Sequence, residues 1–244
     1  MALRSRSILA LAAVALASLA GASGAFACGT GGYTYAGVAA PTRAYGVSAV
    51  ITPLSGFNVL SGHVAGWVGV GGPGQGLDGG DAWIQAGIAS MPGMDPFLYA
   101  EITREGRDPQ FVLIEEGVPV GRSHHIAVLE MSGRPGWWRV WVDGHAVTDS
   151  IELPGSSGRW APIATAESWN AGTAACNAFA FRFERVSVSY VGGGSWRPFV
   201  SAHRFLDSAH TLHDLAAAPA ASGVYRSSQS TSSVLPYAFV ASSS

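Results

Sequence analysis

Residues 81–88, Asp81-Ala82-Trp83-Ile84-Gln85-Ala86-Gly87-Ile88, sort into two faces at a period of two. Ala82, Ile84, Ala86 and Ile88 make one small apolar face suited to a core. Trp83, Gln85 and Gly87 make the other. A helix would scatter these side chains around its circumference, so the segment predicts a strand with one buried face. The alternation recurs along the chain. In 97–104, Leu98, Ala100 and Ile102 oppose Tyr99 and Glu101; in 163–169, Ala164, Ala166 and Ser168 oppose Ile163, Thr165, Glu167 and Trp169; in 66–72, Trp67 opposes Val68 and Val70.

Working outward, runs of this kind cover 58–70, 81–90, 97–104, 111–116, 124–131, 137–142, 159–169 and 179–190, separated by turn residues and without helical periodicity. Asp143-Gly144 between Trp141-Val142 and Ala146-Val147 signals a two-residue hairpin, and 71–80 is a Gly-rich loop too long for a tight turn. An all-β protein with two antiparallel sheets packed as a sandwich is therefore predicted. The organisation expected is a signal peptide at 1–27, an N-terminal extension at 28–56, the sandwich at 57–190, and C-terminal strands or a mobile tail at 191–244. No fixed-period repeat is present.

Composition agrees with this reading. The 244 residues include 32 Gly and 13 Pro, which argues against a helical bundle, while 48% hydrophobic and 10% aromatic content argue against disorder. All 14 basic residues are Arg, set against 16 acids for a net charge of −2, so no basic patch for nucleic acid is on offer. Arg4 and Arg6, the uncharged run 8–19 and Ala25-Phe26-Ala27 read as a secretory signal with a small-x-small cleavage site. The expected product is secreted and extracellular, monomeric, without a membrane span and without a cofactor. Cys28 and Cys176 are the sole thiols, so a disulfide between them is expected in an oxidising compartment. The rival, a lipid on Cys28, is opposed by bulky Phe26.

If the four faces above belong to one sheet, they form a groove lined by Trp67, Trp83, Tyr99, Trp169, Gln85, Glu101 and Glu167, a surface suited to a polymeric substrate. These residues resemble the glutamic peptidases, or eqolisins, secreted enzymes with a concanavalin A-like sandwich (jelly roll). Gly66-Trp67-Val68-Gly69-Val70-Gly71-Gly72 resembles the family's Trp-(small)-Gly-(Ile/Val)-(Asp/Gly)-Gly strand and turn. Trp83-Ile84-Gln85-Ala86-Gly87-Ile88 is similar to its Leu-Gln-(x)-Gly-(Val/Ile) segment, and Ala166-Glu167-Ser168-Trp169 partly matches its Ala-Glu-Trp-Ile strand. The resemblance spans roughly residues 57–190. It implies that Gln85 and Glu167 are the catalytic pair, that Trp67, Trp83, Tyr99, Glu101 and Trp169 bind substrate, and that the partner is a polypeptide.

That assignment is chemically coherent. Glu167 can act as general base on a water and then as acid to the leaving amine, while the Gln85 amide stabilises the oxyanion, with no metal needed. Burial beside aromatics would raise the pKa of Glu167 and suit acidic conditions. Two other classes use the same face: a non-catalytic lectin-like module binding polysaccharide, and a glycoside hydrolase, for which Glu101 and Glu167 are the same-face carboxylates. Geometry separates them: Gln85 and Glu167 within reach of one water favour the peptidase, and Glu101 and Glu167 flanking a cleft favour the glycosidase. Asp143, His145 and Ser150 lie in and after a hairpin, which argues against a serine triad. His203, His210 and His213 lack the partners of a metal site, and the glycines of 69–80 lead into a strand rather than the helix start a phosphate cradle needs.

Overall fold

The computed structural model describes residues 32–40, 42–54, 57–199, 203–206, 210–215 and 237–243. The expected signal segment and Cys28 lie outside the described residues. In chain order the strands are β1 (Tyr33–Ala39), β2 (Gly46–Pro53), β3 (His63–Gly72), β4 (Ala82–Ser90), β5 (Phe97–Thr103), β6 (Gln110–Glu115), β7 (His124–Glu130) and β8 (Trp137–Val142). They continue as β9 (His145–Ala146), β10 (Ile151–Glu152), β11 (Pro162–Trp169), β12 (Ala180–Ser189), β13 (Trp196–Pro198), β14 (His203–Leu206), β15 (His210–Asp214) and β16 (Tyr237–Ser243). No helix occurs among the described residues. One sheet has the order β14-β1-β11-β3-β4-β5-β6; the other runs β10-β8-β7-β2-β12-β16-β15, with β13 beside β12 and β9 beside β8. All pairings are antiparallel.

The core lies between the sheets and is filled by the faces that alternation selects. Val64, Val68, Ile84, Ala86, Ile88, Leu98, Ala100, Ile102, Ala164 and Ala166 come from the first sheet; Val47, Ile51, Ile126, Val128, Val140, Phe181 and Phe183 come from the second. Gly66 is needed at the contact, because a Cβ there would sit 2.7 Å from the Phe181 ring. Trp138 and Trp160 stack at 6.1 Å inside the core, where their combined area replaces several aliphatic side chains. The hairpin at Asp143-Gly144 forms as expected, with both residues at positive φ (50° and 84°) and Val142 paired to His145.

The sandwich extends past the 57–190 span on both sides. Segment 28–56, read from sequence as an extension, holds β1 beside β11 and β2 in the interior of the second sheet. Of the segment after 190, β13, β14, β15 and β16 are paired strands, β16 lying along β12. Strand β3 starts at His63 rather than 58, since Asn58 instead bridges Ala178 alone.

Candidate functional site

The outer face of the first sheet, turned away from the core, carries the side chains that period two leaves over. Antiparallel register arranges them in rows across β11, β3, β4 and β5: Ile163, Gly69, Gln85 and Glu101; then Thr165, Trp67, Gly87 and Tyr99; then Glu167, Ala65, Ala89 and Phe97. Each row sets one or two small residues beside the large ones. Gly69 lies directly opposite Gln85, and a Cβ there would approach the Gln85 Cβ to 2.8 Å. The small residues let the long polar side chains lie within a mostly apolar face. Ala65, Trp67, Ala89, Phe97, Tyr99 and Ile163 form a cluster there, with Tyr35, Met91 and Phe111 packed against it.

Gln85, Glu101 and Glu167 are 9%, 8% and 5% exposed. The Gln85 Nε2–H donates to Tyr99 Oη at 3.4 Å, a long bond that leaves the amide easily redirected. The Trp83 Nε1–H donates to Glu101 Oε1 at 2.9 Å. Glu167 Oε1 lies 3.2 Å from His63 Nε2. Trp67 Nε1 and His63 Nδ1 are buried without a hydrogen-bond partner among the described residues.

The carboxyl of Glu101 is pushed up to about 7. Burial is the main cause, the charge of Glu167 adds to it, and the Trp83 indole and His63 oppose it. Tyr99 is held well above the ordinary tyrosine range by burial and by both carboxylates, and Tyr33 is raised for the same reasons. Both phenols therefore stay neutral donors at any working pH.

A narrow cleft with room for about one water is lined by His63, Ala65, Ala89, Met91, Phe97, Tyr99, Glu101, Phe111 and Glu167. Of the residues singled out from sequence, Tyr99, Glu101 and Glu167 line this cleft. Gln85, Trp67 and Trp83 lie on the same face but outside its lining; Trp169 stacks on Tyr33 at 5.9 Å and tilts against His63 at 5.6 Å. Sequence reasoning missed His63, although it shares the period-two register of Trp67 two steps back along β3. Tyr33 was missed with β1. Phe111 pairs with Glu101 across β5 and β6, and its side of that short strand was not resolved by alternation alone.

Burying two carboxylates that repel each other has a measurable cost. Glu101 binds its proton more tightly folded than unfolded, so the stability it contributes is complete below about pH 4.5 and is lost as pH rises through about 7. The loss should approach ~3 kcal/mol by linkage. Urea unfolding at pH 4, 5.5 and 8 should show it in the wild type, with a flatter dependence in Glu101→Gln.

No protein-family model and no curated protein matches the sequence. Among solved structures, scytalido-glutamic peptidase with a peptide-based transition-state analog is similar, with a TM-score of 0.50 and 18% identity over 70% of this chain and 86% of that one. The same enzyme with a transition-state analog inhibitor gives a TM-score of 0.50 and 17% identity over 86% and 97%. SCP-B, an eqolisin in complex with the tripeptide Ala-Ile-His, gives 0.48 and 13% over 86% and 97%. In fold, this chain is a two-sheet concanavalin A-like β-sandwich that resembles the glutamic peptidases.

Proposed function

We propose that the protein is a secreted acid endopeptidase that hydrolyses polypeptides on the outer face of the first sheet. The observation that carries this reading is the grouping, on one buried face, of the amide of Gln85 with the carboxyl groups of Glu101 and Glu167. Glu167 takes a proton from a water, whose oxygen adds to the scissile carbonyl carbon. The oxyanion accepts hydrogen bonds from Gln85 Nε2–H and the neutral Tyr99 hydroxyl. The C–N bond then breaks, and the departing nitrogen needs a proton. Glu101, still protonated up to about pH 7, supplies it, and the proton on Glu167 replaces it. Trp67, Trp83 and Trp169 flank the face and would hold the chain of the substrate. Met91, Phe97 and Phe111 make the apolar part of the cleft lining.

The test is digestion of a denatured protein across pH 3 to 8, with Glu101→Gln alongside. Activity should be highest on the acid side and fall as pH passes about 7, where Glu101 loses its proton. Absence of cleavage at every pH would overturn the proposal. A second reading is favoured by one observation: Glu101 and Glu167 line the cleft while Gln85 does not, the arrangement expected of a glycoside hydrolase. Release of reducing sugar from a polysaccharide panel would support that reading, and binding without release would support a lectin-like module.

The same reading includes export and a Cys28–Cys176 disulfide. Cys176 lies in the 170–179 loop between β11 and β12. A bridge closing about 150 residues should stabilise by ~4–5 kcal/mol in the chain-entropy model. Alkylation of the non-reduced mature protein should add no mass, and two alkylated thiols would refute the bridge.

A further inference from the structure

We propose that His63 is a positioning residue for Glu167, fixing one carboxylate oxygen so that the other faces the reacting water. This rests on the peptidase reading of the site. Register pairs His63 with Trp169 and Ala65 with Glu167, so His63 and Glu167 are diagonal neighbours on adjacent strands, within reach of two long side chains. His63 Nε2 lies 3.2 Å from Glu167 Oε1, and the two side chains are 3% and 7% exposed. An ionised carboxylate only accepts, so Nε2 is the nitrogen that carries hydrogen and donates to Oε1.

The imidazole has little freedom to do anything else. Its ring sits 5.7 Å from Tyr33 and 5.6 Å from Trp169, and those two rings stack on each other at 5.9 Å and 13°. Nδ1 is buried and has no hydrogen-bond partner among the described residues, so none of them competes for the orientation that Nε2 adopts. Glu101 and Tyr99 from β5 and Tyr33 from β1 are other ionisable groups near the pair, and among the described residues none of them takes the Glu167 Oε1 contact. Glu167 Oε2 has no hydrogen bond among the described residues, and Glu167 lines the cleft that Glu101 also lines. One oxygen is thereby held and the other left for water. A base presented in a single orientation does not have to be ordered again in the transition state.

The test compares His63→Phe, which fills the space between Tyr33 and Trp169 without a donor, with His63→Gln, whose amide can still donate to the carboxylate. In His63→Phe, kcat on a peptide substrate should fall roughly 10- to 100-fold, as when a residue orienting a reactive ligand is removed, with KM changed by less than about threefold. His63→Gln should recover most of that loss. Equal kcat in wild type and His63→Phe would overturn the inference while leaving the peptidase reading intact. Long-range ¹H–¹⁵N spectra of the full protein give a readout independent of turnover. The His63 ring signals, identified by their loss in His63→Phe, should shift in Glu167→Gln. If the wild type cleaves no polypeptide, the peptidase reading fails and these signals alone decide: a shift supports the hold of His63 on Glu167, and unmoved signals overturn it.

Discussion

Glu167→Gln should reduce turnover on a denatured protein substrate by about 10⁴-fold, the upper range for removing a general base. The substitution keeps the side-chain volume and an oxygen that can accept from His63 Nε2, so the aromatic box of Tyr33, His63 and Trp169 has no cause to move. An amide cannot take the proton of water at any pH in the working range. The loss should therefore appear in kcat at every pH rather than as a displaced pH optimum. Urea midpoints of the two proteins should nearly coincide at pH 4, since the exchange leaves the hydrogen bond in place. Activity equal to wild type would remove Glu167 from the chemistry and overturn the mechanism proposed for it, whereas a wild type that turns over neither protein nor polysaccharide would leave the binding module.

Much of the fold was legible because alternation is a local signal. In 82–88 and 98–102 the apolar half of each period became core, and the other half became the outer face. Residues 46–53 carry the same signal: Val47, Ala49 and Ile51 are fully buried. Sequence alone does not join them to the sandwich, because β2 pairs with β7 and β12, strands far along the chain, and no neighbouring hairpin announces it. Strands β14, β15 and β16 were harder still. They are short or rich in small and polar residues, and β16 finds its place between β15 and β12, pairing with β12 through a register shift between Phe183 and Val186.

Within the site, the residues carried by the alternating faces of β3, β4, β5 and β11 came from sequence, but their relations did not. Period two places Glu101 and Glu167 on one side of their strands and says nothing about which lies nearer the cleft. Register decides that, since it sets Gln85 in a row with Glu101 and places Glu167 two rows away, beside Ala65 and Ala89. The protonation behaviour follows from the same geometry. The carboxyl of Glu101 is pushed up to about 7 because it is buried with an indole as its hydrogen-bond donor while the charge of Glu167 repels its own. His63 escaped notice because a histidine at a strand start has no motif around it, and its meaning appears only when β11 is laid alongside.

Gln85→Ala separates the peptidase from its rival. In the peptidase reading the amide stabilises charge that exists only in the transition state, so its removal should cost on the order of 10²–10³ in kcat while KM changes little. In the glycosidase reading Glu101 and Glu167 perform both proton transfers, and among the described residues Gln85 hydrogen-bonds to neither, so turnover on a polysaccharide should survive the substitution nearly intact. Stability tells the two effects apart from unfolding. Gln85 contributes one long hydrogen bond to Tyr99, worth about 1 kcal/mol, and the Gly69 opposite leaves space that an alanine side chain does not fill. Folding should thus weaken slightly, and far less than turnover on a peptide. Kinetics of Gln85→Ala on a peptide at pH 4, with urea unfolding of the same preparation, measure both quantities. A fall in kcat below tenfold would show that Gln85 does not hold the oxyanion.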